Sequence, residues 1–140
     1  MAVEDNVKKF NVLLIDDEED FRETLCTRLT DRGLVIQSAG NGTDGLEILK
    51  HFEADVVLLD VRMPGLSGIE TLRLIKKHNP CIEVIILTGF ASAETAVEVM
   101  ELGAFDYLIK PVSFNELCYR LQDAFTHKCL DDDTDNRPVR

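Results

Sequence analysis

The stretch that decides the fold is Val56-Val57-Leu58-Leu59-Asp60-Val61-Arg62-Met63-Pro64-Gly65, in which four apolar residues run into an aspartate and a Pro-Gly turn follows. An unbroken apolar run of this length is typical of a strand buried on both faces, as in a parallel sheet. Asp60 comes directly after the run, so we predict it at the carboxyl end of that strand. Open α/β sheets place their sites at this edge.

Four more apolar runs flank this stretch, and segments with helical periodicity separate them. We predict strands over residues 10–15, 35–39, 56–59, 83–88 and 107–109. Strands that alternate with amphipathic helices form a parallel sheet covered on both faces. Right-handed crossovers leave few windings, and we expect the common strand order 2-1-3-4-5. The predicted fold is therefore an α/β three-layer (βα)5 sandwich around a five-stranded parallel sheet.

Local signals predict several helix ends and faces. Ser67–Glu70 and Ser113–Glu116 read as capping boxes that start the third and fifth helices. Gly33 is predicted to end the first helix in a left-handed conformation. The residues of the fourth helix that we predict to face the core are Ala96, Val97 and Met100.

Composition excludes several classes of function. The net charge of −11 argues against a nucleic-acid surface on this chain, because phosphates require lysine and arginine. No apolar run approaches the roughly 20 residues of a membrane span, and residues 1–9 lack the apolar core of a signal peptide. We therefore expect a cytoplasmic protein that does not contact membrane. The cysteines (Cys26, Cys81, Cys118 and Cys129) lack zinc-type spacing and are expected to be reduced packing thiols.

The chain divides into three parts by its pattern. Residues 1–9 form an N-terminal extension, and residues 10–128 form one domain. From about Cys129 the helical pattern stops and an acidic, unperiodic stretch begins. We interpret residues 129–140 as an acidic tail or a truncated linker.

Polar residues stand where four of the predicted strands end. Asp16 and Asp17 follow strand one, Asp60 follows strand three, Thr88 ends strand four and Lys110 follows strand five. In the order 2-1-3-4-5 these four strands are neighbours, about 4.8 Å apart. We therefore predict that the five side chains converge on one pocket.

The chemistry of this set points to phosphoryl transfer. Three close carboxylates repel one another, and a divalent cation such as Mg²⁺ removes that repulsion while leaving room for phosphate oxygens. Lys110 adds a positive charge and Thr88 a hydroxyl donor. A free carboxylate oxygen can then act as a nucleophile. Asp60 is our candidate, because it stands alone on the central strand whereas Asp16 and Asp17 form a pair.

Each residue also has an ordinary structural interpretation. Acidic residues before a helix complement its dipole, which alone could explain the acids after Asp17. Asp60 could cap a turn, Thr88 could belong to turn chemistry, and Lys110 could be solvated. Their joint occurrence at four strand ends favours the functional interpretation.

With these motifs in place, the sequence resembles the receiver domain of two-component response regulators over residues 10 to about 127. The motifs that carry the resemblance are Asp16-Asp17, Asp60 followed by Met63-Pro64-Gly65, Thr88 and Lys110-Pro111. The resemblance implies a flavodoxin-like fold and a phosphoryl group taken onto Asp60. The donor would be a phosphohistidine of a sensor histidine kinase or a histidine phosphotransfer protein.

The resemblance also implies a metal site. Mg²⁺, with Mn²⁺ as a substitute, would be held by Asp17 and Asp60, by Asp16 largely through water, and by the backbone carbonyl of Arg62. Lys110 would pair with the phosphorylated Asp60. The Lys110-Pro111 peptide bond would be cis, a form that costs little before proline.

A conformational switch and its tuning follow from the same resemblance. Thr88 would move toward the phosphoryl group and Tyr107 would swing inward, which would change the surface of helix four, strand five and helix five. A half-buried aromatic on an edge strand is the alternative for Tyr107. Arg62 and Phe90 would stand at the pocket mouth and hinder attacking water. The chain would then be a phosphoacceptor with slow self-catalysed dephosphorylation, rather than a turnover enzyme.

Three other functions stay open at this point. A degenerate receiver would serve only as a protein-binding or dimerisation module. A flavodoxin-like cofactor binder needs a phosphate-binding loop after strand one, where this chain has acids. An aspartyl phosphatase usually has a second aspartate two residues after its nucleophile, where this chain has Arg62. The sequence leaves open a homodimer and an output domain beyond Arg140, of the kind found in nitrogen-regulator-type transcription activators.

Overall fold

A computed structural model describes residues 9–62, 65–89 and 92–135, with side chains up to residue 128. Its sheet has five parallel strands in the order β2-β1-β3-β4-β5, as predicted. The strands are β1 (Asn11–Ile15), β2 (Val35–Ala39), β3 (Val56–Leu59), β4 (Glu83–Thr88) and β5 (Asp106–Ile109). The chain winding reverses between β1 and β3, and this brings four strand ends side by side.

Five helices connect and cover the strands. They are α1 (Glu19–Asp31), α2 (Gly42–Leu49), α3 (Gly68–His78), α4 (Ala93–Glu101) and α5 (Phe114–Asp135). The predicted caps are confirmed: Ser67 accepts from the Glu70 amide at 3.1 Å and Ser113 from the Glu116 amide at 3.0 Å. Gly33 follows α1 with φ +96°. In the described part of the chain, no helix is both long and apolar enough to cross a membrane.

The core has two apolar layers, one on each face of the sheet. β3 and β4 are buried along their whole length, which confirms the interpretation of the opening stretch. Leu58 and Ile85 face the layer shared with α1 and α5. Val57 and Ile86 face the opposite layer, shared with α2, α3 and α4. The alternation of side chains along each strand produces this division.

The predicted buried face of α4 was wrong for Val97 and Met100, whereas Ala96 is half-buried. Val97 is 57% exposed and Met100 is 45% exposed, whereas Val99 is fully buried. The helix contacts the core along a narrow line through Val99. At about 100° per residue, Val97 and Met100 lie about 200° and 100° away from that line. The narrow contact between α4 and the core therefore leaves some of the apolar residues of this helix exposed to solvent.

The end of α5 also differs from the sequence pattern. The pattern stops near Cys129, but the helix continues to Asp135. Extending an existing helix adds one hydrogen bond per residue and needs no apolar stripe. Before that extension α5 is anchored to the amino-terminal edge of the sheet by a hydrogen bond between His127 and Glu83 at 2.5 Å and by an ion pair between Lys128 and Asp55 at 3.5 Å.

Candidate functional site

The strand ends bring an acidic cluster to the carboxyl edge of the sheet. One carboxylate oxygen from each of Asp16, Asp17 and Asp60 lies within 4.8 Å of the others. Asp16 is 1% exposed and Asp60 is 6% exposed, while Asp17 faces solvent. Hydrogen bonds between neighbouring strands fix the positions of Asp16 and Asp60, since the Asp16 amide donates to the Ala39 carbonyl and the Asp60 amide donates to the Ile15 carbonyl.

Short turns orient the two buried carboxylates. Oδ1 of Asp16 accepts from the Glu18 amide at 2.9 Å, and Oδ1 of Asp60 accepts from the Arg62 amide at 2.9 Å. Such a bond to the amide two residues on is the usual geometry of an aspartate turn. Oδ2 of each carboxylate is the atom nearer Lys110. The backbone therefore fixes one oxygen of each acid and leaves the other directed toward Lys110.

Lys110 is the cation of the site. Its Nζ lies 2.7 Å from Asp16, 2.7 Å from Glu18 and 3.6 Å from Asp60. It also lies 4.2 Å from the centre of the Phe21 ring, a distance typical of a cation–π contact. The Lys110 amide donates to the Thr88 carbonyl at 2.8 Å, and the Lys110–Pro111 peptide bond is cis, as the resemblance implies.

Burial and pairing act in opposite directions on the two buried charges. Burial raises the pKa of Asp16, and the hydrogen bond and charge of Lys110 only partly offset it. Burial lowers the pKa of Lys110, but its hydrogen bonds to Asp16 and Glu18 outweigh burial and leave the pKa above its usual value. The ammonium is therefore firmly charged, whereas the Asp16 carboxylate remains costly to ionise. A second cation would relieve that cost.

The donor set fits a hard divalent cation. Mg²⁺ binds carboxylate and carbonyl oxygens and usually keeps several waters, because it dehydrates reluctantly. Asp16, Asp17 and Asp60 supply only oxygen donors, and the partly solvent-exposed cluster leaves room for water. Soft or imidazole-seeking metals are disfavoured, because the cluster contains no sulfur or nitrogen ligand.

A pocket at this edge contains most of the residues predicted from the sequence. Its lining residues are Asp17, Glu18, Asp60, Arg62, Thr88, Gly89, Lys110 and Pro111. Thr88 is fully buried. Tyr107 is not part of the lining; it is half-buried on β5 and packs against the layer beneath α4. Phe90 lies outside the described residues, as do Met63 and Pro64, which follow Asp60 in the sequence.

Sequence reasoning missed three contributors in and before α1. Glu18 and Phe21 both contact Lys110. Arg22 donates from Nη1 to the Asp16 carbonyl at 2.8 Å and so fixes the loop that carries the acids. Glu18 was attributed to the helix dipole, because an acid before a helix looks the same in sequence whether it faces solvent or a lysine 92 residues away.

Gly68 is a fourth missed residue, and it sets the position of the Asp60 loop. A Cβ at Gly68 would lie 2.2 Å from the Val61 Cα and 2.8 Å from the Asp60 carbonyl oxygen. The first turn of α3 can therefore approach the loop only because this residue has no side chain. A glycine one residue after the Ser67 cap was the available signal.

Comparisons with known proteins agree on one family. A model described as response regulator receiver domain matches residues 12–122. The transcriptional regulatory protein ZraR of Klebsiella oxytoca is 40% identical over 123 residues, 88% of this chain and 28% of ZraR. The DNA-binding transcriptional regulator NtrC of Proteus hauseri is 35% identical over 121 residues, 86% of this chain and 26% of NtrC. The chain thus spans about a quarter of the length of these relatives.

A solved structure adds a likeness at the level of the fold. The response regulator protein TrrA of Thermotoga maritima, crystallised in complex with Mg²⁺-BeF, is 30% identical with a TM-score of 0.74. The match covers 82% of this chain and 98% of TrrA.

Proposed function

The chain belongs to the response regulator receiver domain family, and from that premise we propose that it is a signalling switch phosphorylated on Asp60. The donor is a phosphohistidine on a sensor histidine kinase or a histidine phosphotransfer protein. The observation that carries the proposal is the convergence of three carboxylates within 4.8 Å, with the Lys110 ammonium 3.6 Å from Asp60. These are the parts that a phosphoryl-accepting carboxylate requires.

The reacting atom is Oδ2 of Asp60, because Oδ1 is engaged by the Arg62 amide. Oδ2 attacks phosphorus and forms an O–P bond as the P–N bond of the phosphohistidine breaks. The imidazole nitrogen keeps the electron pair of that bond and takes a proton from solvent. Asp60 then carries an acyl phosphate until water attacks phosphorus. The chain is a phosphoacceptor that catalyses its own phosphorylation and slow dephosphorylation.

Mg²⁺, with Mn²⁺ as a substitute, is the cofactor that the cluster fits. Asp17 and Asp60 would hold it directly, Asp16 largely through water, and the Arg62 carbonyl would complete the protein ligands. When bound, it supplies positive charge against the oxygens of the transferring group. The Mg²⁺-BeF complex of TrrA supports this assignment by likeness.

Lys110 and Thr88 hold the phosphoryl oxygens after transfer. The partly buried ammonium lies on one side of the pocket, and Thr88, which is fully buried, lies at the end of the neighbouring strand. Thr88 moves toward the new group, and Tyr107 takes an inward position in the space that it leaves. The half-buried state of Tyr107 on β5 is compatible with such a movement.

The surface of α4, β5 and α5 transmits the switch to a partner. Val97, Met100 and Ile109 on this surface are between 40% and 57% exposed. Exposed apolar side chains that lie together on one surface often mark a protein–protein interaction site. Their presence here supports the proposal that a partner covers this face. The partner is an output domain beyond Arg140 or a separate protein, and the relatives named transcriptional regulators favour transcriptional control.

Arg62 and Phe90 tune the lifetime of the phosphoryl group. Arg62 lies at the pocket wall, two residues after the acceptor. Its side chain and that of Phe90 hinder the approach of water to phosphorus, so Phe90→Ala is expected to lose the group faster than wild type. An unchanged rate of loss in that variant removes this part of the proposal.

Incubation with acetyl phosphate and Mg²⁺ tests the proposed function. Intact-mass spectrometry should detect one added phosphoryl group on the wild type and none on Asp60→Asn. Chelation of divalent cations with EDTA should abolish the gain. A folded wild type that gains no mass would favour the alternative, a degenerate receiver that acts only as a binding or dimerisation module.

A further inference from the structure

Lys110 has a partner that the proposed reaction does not use. Its Nζ lies 2.7 Å from Oε1 of Glu18, as close as it lies to Asp16. The acceptor Asp60 is farther away, at 3.6 Å. The ammonium therefore rests on the α1 side of the pocket, between two acids that do not accept the phosphoryl group.

The Glu18 side chain is left available for this contact because it does not cap α1. Glu18 occupies the position before α1, yet its side chain makes no capping hydrogen bond. At the starts of α2, α3 and α4, by contrast, Asn41, Ser67 and Ser92 each accept a hydrogen bond from the helix. The Glu18 amide is held by Oδ1 of Asp16 at 2.9 Å. The Glu18 side chain thus does not cap α1 and instead pairs with Lys110.

This pairing opposes the movement that phosphorylation requires. Once Asp60 carries a phosphoryl group, Lys110 has to turn toward its oxygens, and every interaction specific to the resting position is lost. An ion pair with one exposed partner is a modest restraint, able to change an equilibrium by about two- to fivefold. Glu18 is 63% exposed at its side chain, which places the contact in this class.

We propose that Glu18 is a positioning residue that keeps the Lys110 ammonium on the α1 side of the pocket, beyond hydrogen-bond distance of Asp60, in the resting state and so slows phosphorylation. This inference rests on the proposed function, since it concerns the rate of that reaction. It assigns Glu18 the role of restraining Lys110. This role is separate from metal binding and from the access of water to the phosphoryl group.

Three variants distinguish the Glu18–Lys110 contact from a general effect of negative charge near the pocket. Glu18→Gln removes the charge and leaves only a neutral acceptor opposite Lys110, Glu18→Asp keeps the charge but shortens the reach by about 1.5 Å, and Glu19→Gln removes an exposed charge from the neighbouring position. The rate of mass gain with acetyl phosphate and Mg²⁺ is the measurement. We expect Glu18→Gln and Glu18→Asp to react about two- to fivefold faster than wild type, and Glu19→Gln to match wild type.

A double-mutant cycle with Lys110 tests whether Glu18 changes the phosphorylation rate through its contact with this lysine. In a Lys110→Met background, Glu18→Gln should produce no acceleration, because the restrained group is gone. A purely structural effect on the start of α1 would persist in that background. Thermal unfolding of each variant checks that equal amounts of folded protein are compared.

The outcomes distinguish this inference from the proposed function. If wild type is phosphorylated but Glu18→Asp behaves as wild type, or if Glu18→Gln accelerates equally without Lys110, the positioning role is overturned and the proposed function stands. If wild type gains no phosphoryl group, both fall together.

Discussion

Both the backbone and the side chain of Asp60 are held by hydrogen bonds. Its amide donates to Ile15 of β1 and its Oδ1 accepts from the Arg62 amide, so neither the backbone nor the side chain can rotate freely. Gly68 packs against the carbonyl of the same residue. This fixation suits the proposed role of Asp60 as phosphoryl acceptor, because misplacement of a reacting group by even 1 Å can cost about a hundredfold in rate.

Gly68→Ala should destabilise the fold and displace the Asp60 loop. The added methyl group would lie 2.2 Å from the Val61 Cα, so backbone has to move. We expect a loss of about 1–3 kcal/mol in the free energy of unfolding, the usual cost of overpacking, measured by urea denaturation. Gly89→Ala is the matched control, because a Cβ there meets nothing within 4 Å. Equal stability of the two variants would contradict this explanation of the loop.

At the scale of elements, α4 differs from the other helices in how little of its apolar surface it buries. In the part of the chain that the structure describes, Val99 is its one buried residue. Val97 and Met100 on the same helix remain in water. A helix attached by so narrow a contact can shift at low cost, and this suits an element proposed to change position during signalling.

Val99→Ala and Val97→Ala should therefore differ strongly although the chemical change is the same. Val99 is 0% exposed, so the loss of its methyl groups should cost about 2 kcal/mol in the free energy of unfolding. Val97 is 57% exposed, and its truncation should change stability by no more than about 0.5 kcal/mol. Denaturant titrations of both variants provide the check. Similar losses would mean that the buried face of α4 is assigned wrongly.

On the scale of the whole molecule, the winding of the sheet gathers residues that are up to 94 positions apart in sequence. The strand order, the capped helix starts and the strand-end residues could all be predicted, because each depends on a local pattern or a general winding rule. Thr88 and Lys110 are examples, since a strand and its final residue are both visible in sequence.

The missed features depend on distances between segments, which a single sequence does not encode. Glu18 faces Lys110 and Gly68 faces Val61 only after the elements have packed. The exposed side of α4 was missed for the same reason, because hydrophobic spacing gives the apolar residues but not how many of them the sheet can cover. The length of α5 was missed because helix extension requires no apolar signal.

Asp60→Asn should stabilise the whole domain in the absence of divalent cations. The Asp60 oxygen lies within 4.8 Å of those of Asp16 and Asp17, and the charge of Asp60 adds to the burial that raises the pKa of Asp16. We expect the free energy of unfolding to rise by about 1–2 kcal/mol, a fraction of the Coulomb energy of a close charge pair. Asp123→Asn, an exposed site on α5, is the control and should change little.

Saturating Mg²⁺ should narrow or reverse that difference. Wild type gains stability by binding the cation, whereas the variant has lost a carboxylate ligand. Thermal unfolding with and without Mg²⁺ measures both effects. Wild type that is unaffected by Mg²⁺, or an asparagine variant that is less stable without it, would contradict the described electrostatics of the cluster.

The central claim is that the single aspartate after β3 is the phosphoryl acceptor. After treatment with acetyl phosphate and Mg²⁺, reduction with borohydride converts an aspartyl phosphate to homoserine, and peptide mapping then locates the modified position. The account predicts homoserine at position 60 and unmodified aspartate at positions 16 and 17. Homoserine at either of those two positions, with position 60 unmodified, would contradict it.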